Sequence, residues 1–404
     1  MISIQQATQI VLDHICNIGT ETVPLVQSLG RVLQEDLKAD RDFPPFPRIT
    51  MDGIAIQYQT FAAGKRTFSI EDLQAAGMAQ KTLQNSDNCL EVMTGAILPK
   101  NTDTVIRYED VEIVNGKATI LLEEINDSQN VHQQGLDRQK GGLIVPKGRV
   151  ISSAEIAVAS TIGKTHLEIS RLPKVVIVST GDELVDVAET PLPHQIRKSN
   201  VYSLQTTLLQ WGIAAETRHL PDDKAHIHQE LSEYLQDFEV IILSGGVSKG
   251  KLDFVPEVLE ELQVEKLFHQ VAQRPGKPFW FGKTANSRVH IFALPGNPVS
   301  TFMCAHRYFQ PWLRKSLGLP PFQKEFAILQ SDFHFRPALT YFLQVKLKNG
   351  EDGKLWAIPV EGQGSGDLAN LVDADGFLEL PSDRNDFAAG EVFGLMRYRN
   401  GSEN

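Results

Sequence analysis

The sequence predicts a multidomain protein in which a central, doubly wound α/β domain is combined with β domains. At 404 residues the chain is long enough for two or more domains of about 150 residues each. Between residues 172 and 318, wholly apolar runs such as "KVVIVST" and "EVIILSGG" alternate with amphipathic segments. This alternation is typical of a parallel sheet covered by helices on both faces. On either side of it, short β-like runs are separated by Gly, Asn and Asp turns.

Changes in the pattern of apolar residues, prolines and glycines divide the chain into four predicted domains. Residues 1–43 begin with an amphipathic helix and end at prolines near Pro44, where a helix cannot continue. Residues 141–171 contain a Ser-capped, Ala-rich helix, and we expect them to join residues 1–43 in one split α+β domain. The remaining domains are a small β-domain at 44–140, the α/β domain at 172–318 and a small barrel or sandwich at 325–404.

Composition excludes several classes of protein. A formal net charge of -11 argues against a nucleic-acid partner, because phosphate backbones are bound by basic surfaces. The N-terminus lacks the pattern of a secretion signal, and the chain has no uncharged apolar run of about 18 residues, so no membrane span is expected. Three widely separated cysteines without a CxxC pair suggest neither a disulfide framework nor a zinc site. A cytoplasmic protein is predicted.

Three glycine turns follow apolar strands of the α/β region, in "VSTGDEL", "LSGGVSKGKLDF" and "LPGNPVS". Backbone amides at such turns can bind a phosphate or another oxyanion. The second turn combines Gly245 and Gly246 with the hydroxyls of Ser244 and Ser248, which favours a phosphate site. It lacks the Gly-Lys-Ser/Thr ending of a P-loop. An ordinary strand-to-helix loop is the alternative.

Acidic residues lie beside these turns: Glu183 after the first, Asp222 after the strand that ends at Leu220, and Asp253 after the second. Carboxylates repel phosphates unless a divalent cation lies between them, and Mg²⁺ takes one or two carboxylates together with phosphate oxygens. The acids therefore indicate a magnesium site. The alternative for any one of them is a helix cap, and we expect Asp182 to be a cap, because the pattern predicts that a strand ends and a helix begins there.

Two cations flank a Pro-Gly turn in "QRPGKPFWFG", Arg274 and Lys277. Cations on a rigid turn favour an anion site, whereas a solvated basic loop is the alternative. The histidines show no metal-binding pattern; His226 and His228 lie two residues apart on a predicted helix and point in different directions.

Taken in order, eight short segments resemble the molybdopterin molybdenumtransferase family, which includes MoeA and the gephyrin E domain: "PPFPRITMDGIA", "EVMTGAILP", "VSTGDEL", "IRKSN", "SGGVSKGKLDF", "QRPGKPFWFG", "LPGNPVS" and "EGQGSGDL". The resemblance spans essentially the whole chain. It implies a homodimer with a MogA-like molybdopterin-binding α/β domain and a C-terminal β-barrel. Family members use adenylylated molybdopterin and molybdate as substrates and release AMP with the help of Mg²⁺; a MogA-like adenylyltransferase and molybdenum enzymes are the implied protein partners.

The resemblance also implies roles for individual residues. Asp52 and Thr94 would enter the catalytic site from the partner subunit. The other implied catalytic residues are Glu183, Asp253 and Lys277. The metal would be held by Glu183, Asp222 and Asp253. The implied substrate-binding residues are Thr180, Gly181, Ser244, Gly245, Gly246, Ser248, Arg274, Pro295, Gly296, Asn297, Ser300, Arg336 and Ser365.

The chain departs from the family pattern at several charged positions. In "NVHQQGLD", His132 replaces the usual arginine and Leu136 the usual glutamate. Lys198, Lys249 and Lys251 shift the charge of the site towards positive. Two outcomes follow: an active transferase, or a non-catalytic paralogue that binds pterin or nucleotide as a scaffold. A generic nucleotide or phosphosugar enzyme is a third reading, but it leaves the outer β domains unexplained.

Overall fold

The computed structural model describes residues 1–247, 253–360, 362, 364 and 366–399. Four positions singled out in the sequence, Ser248, Lys249, Lys251 and Ser365, lie outside the described residues.

The N-terminal 170 residues form three α-helices, a β-sheet and several short strand pairs. Their elements are α1 (Ile4–Asp13), β1 (Thr20–Pro24), β2 (Leu37–Lys38), β3 (Arg48–Ile49), β4 (Gly53–Ile56), α2 (Tyr58–Ala62), β5 (Thr67–Gln74), β6 (Asn88–Val92), β7 (Thr104–Arg107), β8 (Val111–Val114), β9 (Lys117–Ile120), β10 (Val131–His132), β11 (Leu143–Val145), α3 (Ser153–Thr161) and β12 (His166–Ser170).

Two strand pairs join the beginning of the chain to residues 143–170. β1 pairs antiparallel with β12, and β2 pairs antiparallel with β11. α1 begins at a capping box, in which the Ser3 hydroxyl accepts from the Gln6 N–H and the Ser3 N–H donates to the Gln6 side chain. The buried face of α1 packs into the core of the α/β region, so this helix ties the N-terminal segment to the domain that follows.

Residues 53–120 form a six-stranded sheet in the order β7-β4-β6-β5-β9-β8. The sheet has a buried aromatic and aliphatic core that includes Ile54, Phe68 and Ile106. Its first central strand starts at Gly53, where a Cβ atom would overlap the carbonyl oxygen of Ile106. Only glycine permits β4 and β7 to approach this closely, and Asp52 immediately precedes that contact.

The middle of the chain alternates strands and helices. Its elements are β13 (Val175–Thr180), β14 (Leu184–Val185), β15 (Ile196–Arg197), α4 (Asn200–Gln210), β16 (Glu216–Leu220), α5 (Lys224–Asp237), β17 (Val240–Ser244), α6 (Val255–Glu261), β18 (Glu265–His269), β19 (Gln273–Arg274), β20 (Trp280–Lys283), β21 (His290–Leu294), α7 (Pro298–Cys304), a π-helical turn (Ala305–Phe309) and α8 (Gln310–Ser316).

The central sheet has the order β16-β13-β17-β21-β20-β18. β16, β13, β17 and β21 run parallel to one another, which confirms the predicted α/β fold. Every residue of β13, β17 and β21 is buried, because helices cover both faces: α1, α4, α7 and α8 on one side, α5 and α6 on the other.

One local prediction in this region is wrong, and one strand of the central sheet was not predicted. No helix follows "VSTG": residues 182 and 183 form a turn, after which β14 pairs with β15, so Asp182 does not cap a helix. The residues after Lys277 form β20, which runs antiparallel to both of its neighbours. The sheet is therefore mixed at one edge, because the Pro-Gly turn reverses the chain.

The C-terminal region is a closed barrel. Its elements are β22 (Glu325–Leu329), β23 (Phe333–His334), β24 (Thr340–Asn349), β25 (Leu355–Pro359), α9 (Asn370–Asp373), β26 (Gly376–Leu380), β27 (Asp386–Phe387) and β28 (Val392–Arg397).

Five strands pair in a ring, β24 with β25, β25 with β22, β22 with β28, β28 with β26 and β26 with β24. The sequence predicted four of these strands and missed β26. In addition, β19 of the α/β region pairs with β24, which sets Arg274 opposite Tyr341.

Candidate functional site

The three predicted glycine turns lie at one edge of the central sheet. β13, β17 and β21 are adjacent and parallel, with Ser179 opposite Ser244 and Ser244 opposite Leu294. Thr180-Gly181, Ser244-Gly245-Gly246 and Pro295-Gly296-Asn297 therefore follow neighbouring strand ends. In open α/β sheets this carboxyl edge is where ligands bind.

Thr180 and the second glycine turn are in close contact. A Cβ atom on Gly245 or on Gly246 would lie 2.9 Å from the Thr180 hydroxyl oxygen, and both glycines have positive φ angles. The Thr180 hydroxyl is buried and has no hydrogen-bond partner in the described part of the chain. A buried hydroxyl beside two glycines offers a ligand both a hydrogen-bonding group and close access to the backbone.

The acids near this edge differ in what they do. Asp182 accepts a hydrogen bond from the Asp222 N–H at 3.1 Å and so links the loops that follow β13 and β16. The Glu183 carboxylate folds against Gly181, where any Cβ atom would collide with it. Partial burial raises the pKa of Asp222, and the negative charges of Asp182, Glu183 and Asp253 raise it further. The predicted metal-binding acids Glu183, Asp222 and Asp253 thus act on one another electrostatically.

Asp223, next to Asp222, has a purely structural contact. Its carboxylate accepts from the His226 N–H at 2.7 Å and caps α5. The cap and the candidate metal-binding acid are therefore separate residues. Among the described residues, no group of three or more His, Cys, Asp or Glu side chains is already arranged to hold a metal ion.

Lys198, one of the departures from the family pattern, adds positive charge near the acids. Its Nζ lies 3.8 Å from Asp186. Burial lowers the pKa of His219, and the charge of Lys198 lowers it further. His219 in turn contacts the Ser179 hydroxyl through Nδ1 at 3.0 Å, at the end of the strand that leads into the first glycine turn.

Arg274 and Lys277 are exposed on a turn whose backbone is buried. Neither forms an ion pair with a carboxylate of the described residues. Beneath them, Gln273 is completely buried and donates through Nε2 to the Gly276 carbonyl at 3.1 Å. The Tyr308 hydroxyl donates to the Gln273 Oε1. This buried network fixes the turn that carries the two cations.

A cleft of about 580 Å³ separates this turn from the C-terminal barrel. Arg274 and Arg336 both line it, together with aromatic residues of the barrel. Gln344, on β24, also lines the cleft, and its buried Oε1 has no partner among the described residues. Ser300 is buried next to Val299, which lines the cleft from α7. α7 thus connects the third glycine turn to a cleft lined by two arginines, neither of which forms an ion pair with a carboxylate of the described residues.

Asp52 and Thr94 lie together in the small β-domain. The N–H and the hydroxyl of Thr94 both donate to Asp52 Oδ1, at 2.6 and 2.7 Å, and these bonds lower the pKa of the exposed Asp52 carboxyl. In the described part of the chain, no hydrogen bond or ion pair links either residue to the α/β domain. The pair is preformed but is separate from the glycine turns within one subunit.

The two substituted positions of "NVHQQGLD", His132 and Leu136, differ in their surroundings. His132 Nε2 lies 3.0 Å from Asp137 Oδ1, and its Nδ1 lies 3.4 Å from the Arg48 guanidinium. Leu136 is 69% exposed. His132 therefore connects Arg48 to Asp137 across the β3–β10 pair and does not line the described cleft.

Sequence reasoning missed Asn200, the first residue of α4. Its Nδ2 donates to the Ser244 hydroxyl at 2.8 Å and to the Gly296 carbonyl at 2.7 Å. Asn200 thus connects the second and third glycine turns. Two signals were available: its place at the start of a predicted helix, which normally indicates capping, and its position as the last residue of the segment "IRKSN".

Comparison with known proteins agrees with this architecture. Three family models match consecutive parts of the chain: the MoeA N-terminal region, domains I and II, at residues 2–163; a probable molybdopterin binding domain at 176–315; and the MoeA C-terminal region, domain IV, at 327–396. A molybdopterin molybdenumtransferase of Synechocystis sp. is 40% identical and covers 97% of this chain and 99% of that protein. The chain belongs to the molybdopterin molybdenumtransferase family.

This membership makes the chain a transferase of molybdenum cofactor biosynthesis. The molybdopterin molybdenumtransferase of Bacillus subtilis is 30% identical over 95% of this chain and 91% of that protein. A crystal structure of a molybdopterin biosynthesis MoeA protein from Pyrococcus horikoshii has a TM-score of 0.85 and 30% identity, and the alignment covers 99% of this chain and all of that one. The molybdenumtransferase fold therefore extends over the whole chain. No helix among the described residues is long and apolar enough to cross a membrane.

Proposed function

We propose that this chain inserts molybdenum from molybdate into adenylylated molybdopterin and releases AMP, and that it does so where the glycine turns of the central sheet meet the cleft of the barrel. The observation that carries the proposal is that α7 joins the glycine turns to the cleft. Its N-terminus follows Pro295-Gly296-Asn297, and its Val299 lines the cleft with Arg274 and Arg336. A pterin nucleotide lying across α7 would bring its phosphate to the turns and its dithiolene towards the arginines.

The nucleotide phosphates are assigned to the turn residues. Gly181, Gly245, Gly246 and Gly296 permit close approach to the backbone, and Thr180, Ser244 and Ser248 supply hydroxyls. The buried Thr180 hydroxyl supports this assignment, since a buried polar group without a partner costs about 1–3 kcal/mol and a phosphate oxygen would pair with it.

The neighbouring acids suit Mg²⁺. The pKa of Asp222 is raised by burial and by three nearby negative charges, a strain that a divalent cation would relieve. We assign Glu183, Asp222 and Asp253 to the ion; two of them with phosphate oxygens satisfy its preference for few carboxylates. When bound, Mg²⁺ supplies positive charge at the phosphoanhydride. Asp182 keeps the two loops together, which positions these acids.

The molybdate oxyanion is assigned to the cleft. Arg274 and Arg336 line the cleft, and Lys277 lies on the same turn as Arg274. We assign to molybdate the buried hydroxyl of Ser300, next to Val299 in α7, and, from the sequence resemblance alone, that of Ser365. Guanidinium groups bind oxyanions through paired hydrogen bonds. The π-rich wall of Phe335 and Tyr341, whose rings stack at 4.2 Å, would exclude water from one side of the cleft and strengthen these contacts.

We further propose a cytoplasmic homodimer in which Asp52 and Thr94 of one subunit complete the site of the other. The pair is preformed and exposed but has no described link to its own α/β domain. The proposed domain division is residues 1–43 with 141–171, then 44–140, 172–318 and 325–404, supported by the β1–β12 and β2–β11 pairs. A MogA-like adenylyltransferase is the proposed supplier of the pterin, and molybdenum enzymes the proposed recipients.

AMP release tests the proposal. The chain is incubated with adenylylated molybdopterin, Mg²⁺ and molybdate, and AMP is measured by chromatography. We expect AMP release that depends on all three and that falls at least about tenfold in Asp253→Asn. A matched control is Asp237→Asn, at the far end of α5, which should not change the rate. Tight binding of the nucleotide without release would support a binding or scaffold role instead.

A further inference from the structure

Asn200 lies where the second and third glycine turns come together. It is the first residue of α4, and its amide is directed at the ends of β17 and β21. Nδ2 donates to the Ser244 hydroxyl at 2.8 Å and to the Gly296 carbonyl at 2.7 Å, and a third oxygen, the Thr301 hydroxyl, lies at 3.4 Å. One side chain thus touches both turns and the helix that follows them.

The orientation of this amide is determined by its partners. A carbonyl oxygen can only accept a hydrogen bond, so the atom beside Gly296 must be the NH₂ group of Asn200. Thr301 uses its own hydroxyl proton to donate to the Pro295 carbonyl, so it too can only accept from Asn200. The Asn200 Oδ1 is buried and has no partner in the described part of the chain, so the hydrogen bonds of this amide to the two turns and to Thr301 all come from its NH₂ group.

These bonds determine the direction of one donor, the Ser244 hydroxyl. Ser244 is 3% exposed, and its hydroxyl oxygen accepts from Asn200, which leaves the single hydroxyl proton for a different acceptor. The second bond, to the Gly296 carbonyl, holds the Asn200 amide in place. Asn200 therefore directs the Ser244 O–H away from itself at the end of β17.

We propose that Asn200 is a positioning residue for the phosphate of the nucleotide: it orients the Ser244 O–H so that this hydroxyl donates to the oxyanion. The inference rests on the proposed function, because it assigns a residue to the phosphate end of that site. Asn200 itself does not touch the phosphate. Asn200 donates to the Ser244 hydroxyl oxygen, so the Ser244 proton stays available to donate to the ligand.

Substitution by aspartate is the sharpest test of this role. Asn200→Asp keeps the size of the side chain but replaces the NH₂ donor by a carboxylate oxygen. The Ser244 hydroxyl would then donate to the carboxylate, and the Gly296 carbonyl would be repelled. We expect the affinity for AMP, measured by calorimetry, to fall at least about tenfold in Asn200→Asp and in Asn200→Ala, since a hydrogen bond to a charged group is worth about a factor of ten or more.

A double-mutant cycle separates this role from general structural damage. The AMP affinity is measured for the unaltered chain, Asn200→Ala, Ser244→Ala and the double variant. If Asn200 acts through Ser244, its replacement should cost much less affinity in the Ser244→Ala background than in the unaltered chain. Asn88→Ala is the matched control, because Asn88 donates to Glu71 in the β-domain; it should lower stability without changing AMP affinity.

The outcomes are distinct. Unchanged AMP affinity in Asn200→Asp, or losses that add fully in the cycle, would overturn the positioning role while leaving the proposed function intact. If the unaltered chain fails to bind AMP, the proposed function fails, and the inference fails with it.

Discussion

The Tyr308 hydroxyl donates to the Gln273 side chain directly beneath the turn that carries Arg274 and Lys277. Tyr308 belongs to the π-helical turn between α7 and α8, and π-helical turns are frequent at functional sites. The same helix begins at the third glycine turn. One helical element therefore connects the glycine turns to the residues that support the turn of the two cations.

Tyr308→Phe should disturb the turn. It leaves the buried Gln273 Oε1 without a partner, so we expect the free energy of unfolding to fall by about 1–3 kcal/mol. The molybdate concentration needed for half-maximal AMP release should rise about tenfold, because Arg274 and Lys277 lose their fixed positions.

Tyr234→Phe is the control for this change. Tyr234 donates to Glu230 on α5, away from the cleft, so its loss should affect stability alone. An unaltered molybdate dependence in Tyr308→Phe would contradict the supporting role of Tyr308.

Asp222→Asn should stabilise the protein in the absence of Mg²⁺ and impair its activity. The raised pKa of Asp222 means that the folded state holds a proton there more tightly than the unfolded state does, so stability decreases as pH rises through the interval above the ordinary value of about 4. At neutral pH the substitution removes this cost, and we expect a gain of about 1 kcal/mol or less. Below about pH 4 the gain should vanish.

The effect on activity distinguishes Asp222 from its neighbour. AMP release in Asp222→Asn should need at least about tenfold more Mg²⁺, measured by titration of the ion. Asp223→Asn should leave both the free energy of unfolding and the Mg²⁺ requirement unchanged, since asparagine also caps a helix. Equal Mg²⁺ dependence in the two variants would remove Asp222 from the metal site.

Gly53→Ala should disrupt the small β-domain. The added methyl group would overlap the Ile106 carbonyl oxygen, and strands β4 and β7 would have to separate. We expect a loss of about 3 kcal/mol or more in a denaturant titration. Gly394→Ala, in the barrel, is the matched control because a Cβ atom there has no neighbour within 4 Å. Similar stability of the two variants would show that the close approach at Gly53 is not required.

Restoring the family residues at positions 132 and 136 should change turnover little. His132 already contacts both Arg48 and Asp137, and Leu136 is largely exposed, so His132→Arg with Leu136→Glu alters a surface away from the described cleft. We expect AMP release to change by less than about threefold. A large gain would show that these substitutions had weakened the site of an ancestral enzyme.

The main strands and helices of the α/β domain could be predicted because each buried strand is apolar along its whole length and each helix has one apolar face. β13, β17 and α5, for example, lie within a residue or two of the predicted segments. Short-range patterning could not predict β14, since that strand exists only by pairing with β15, about 12 residues further on. For the same reason Asp182 was assigned to a helix that does not form.

The site was predictable only in part. Glycine turns and charged residues leave a signal in the sequence, and Gly245, Glu183, Arg274 and Lys277 were predicted from it. Asn200 and Gln273 were not, because a single amide side chain in a polar loop has no periodicity. Each of these amides gains its contacts only in the folded chain, where Ser244 and Gly296 lie beside Asn200 and Tyr308 lies beside Gln273.

The most direct measurement is a crystal structure of the protein with AMP and molybdate bound. The account predicts the AMP phosphate at the turns of Gly181, Gly245 and Gly296, and molybdate in the cleft in contact with Arg274 and Lys277. An AMP phosphate bound away from the carboxyl edge of the central sheet, or molybdate bound without either cation, would contradict it.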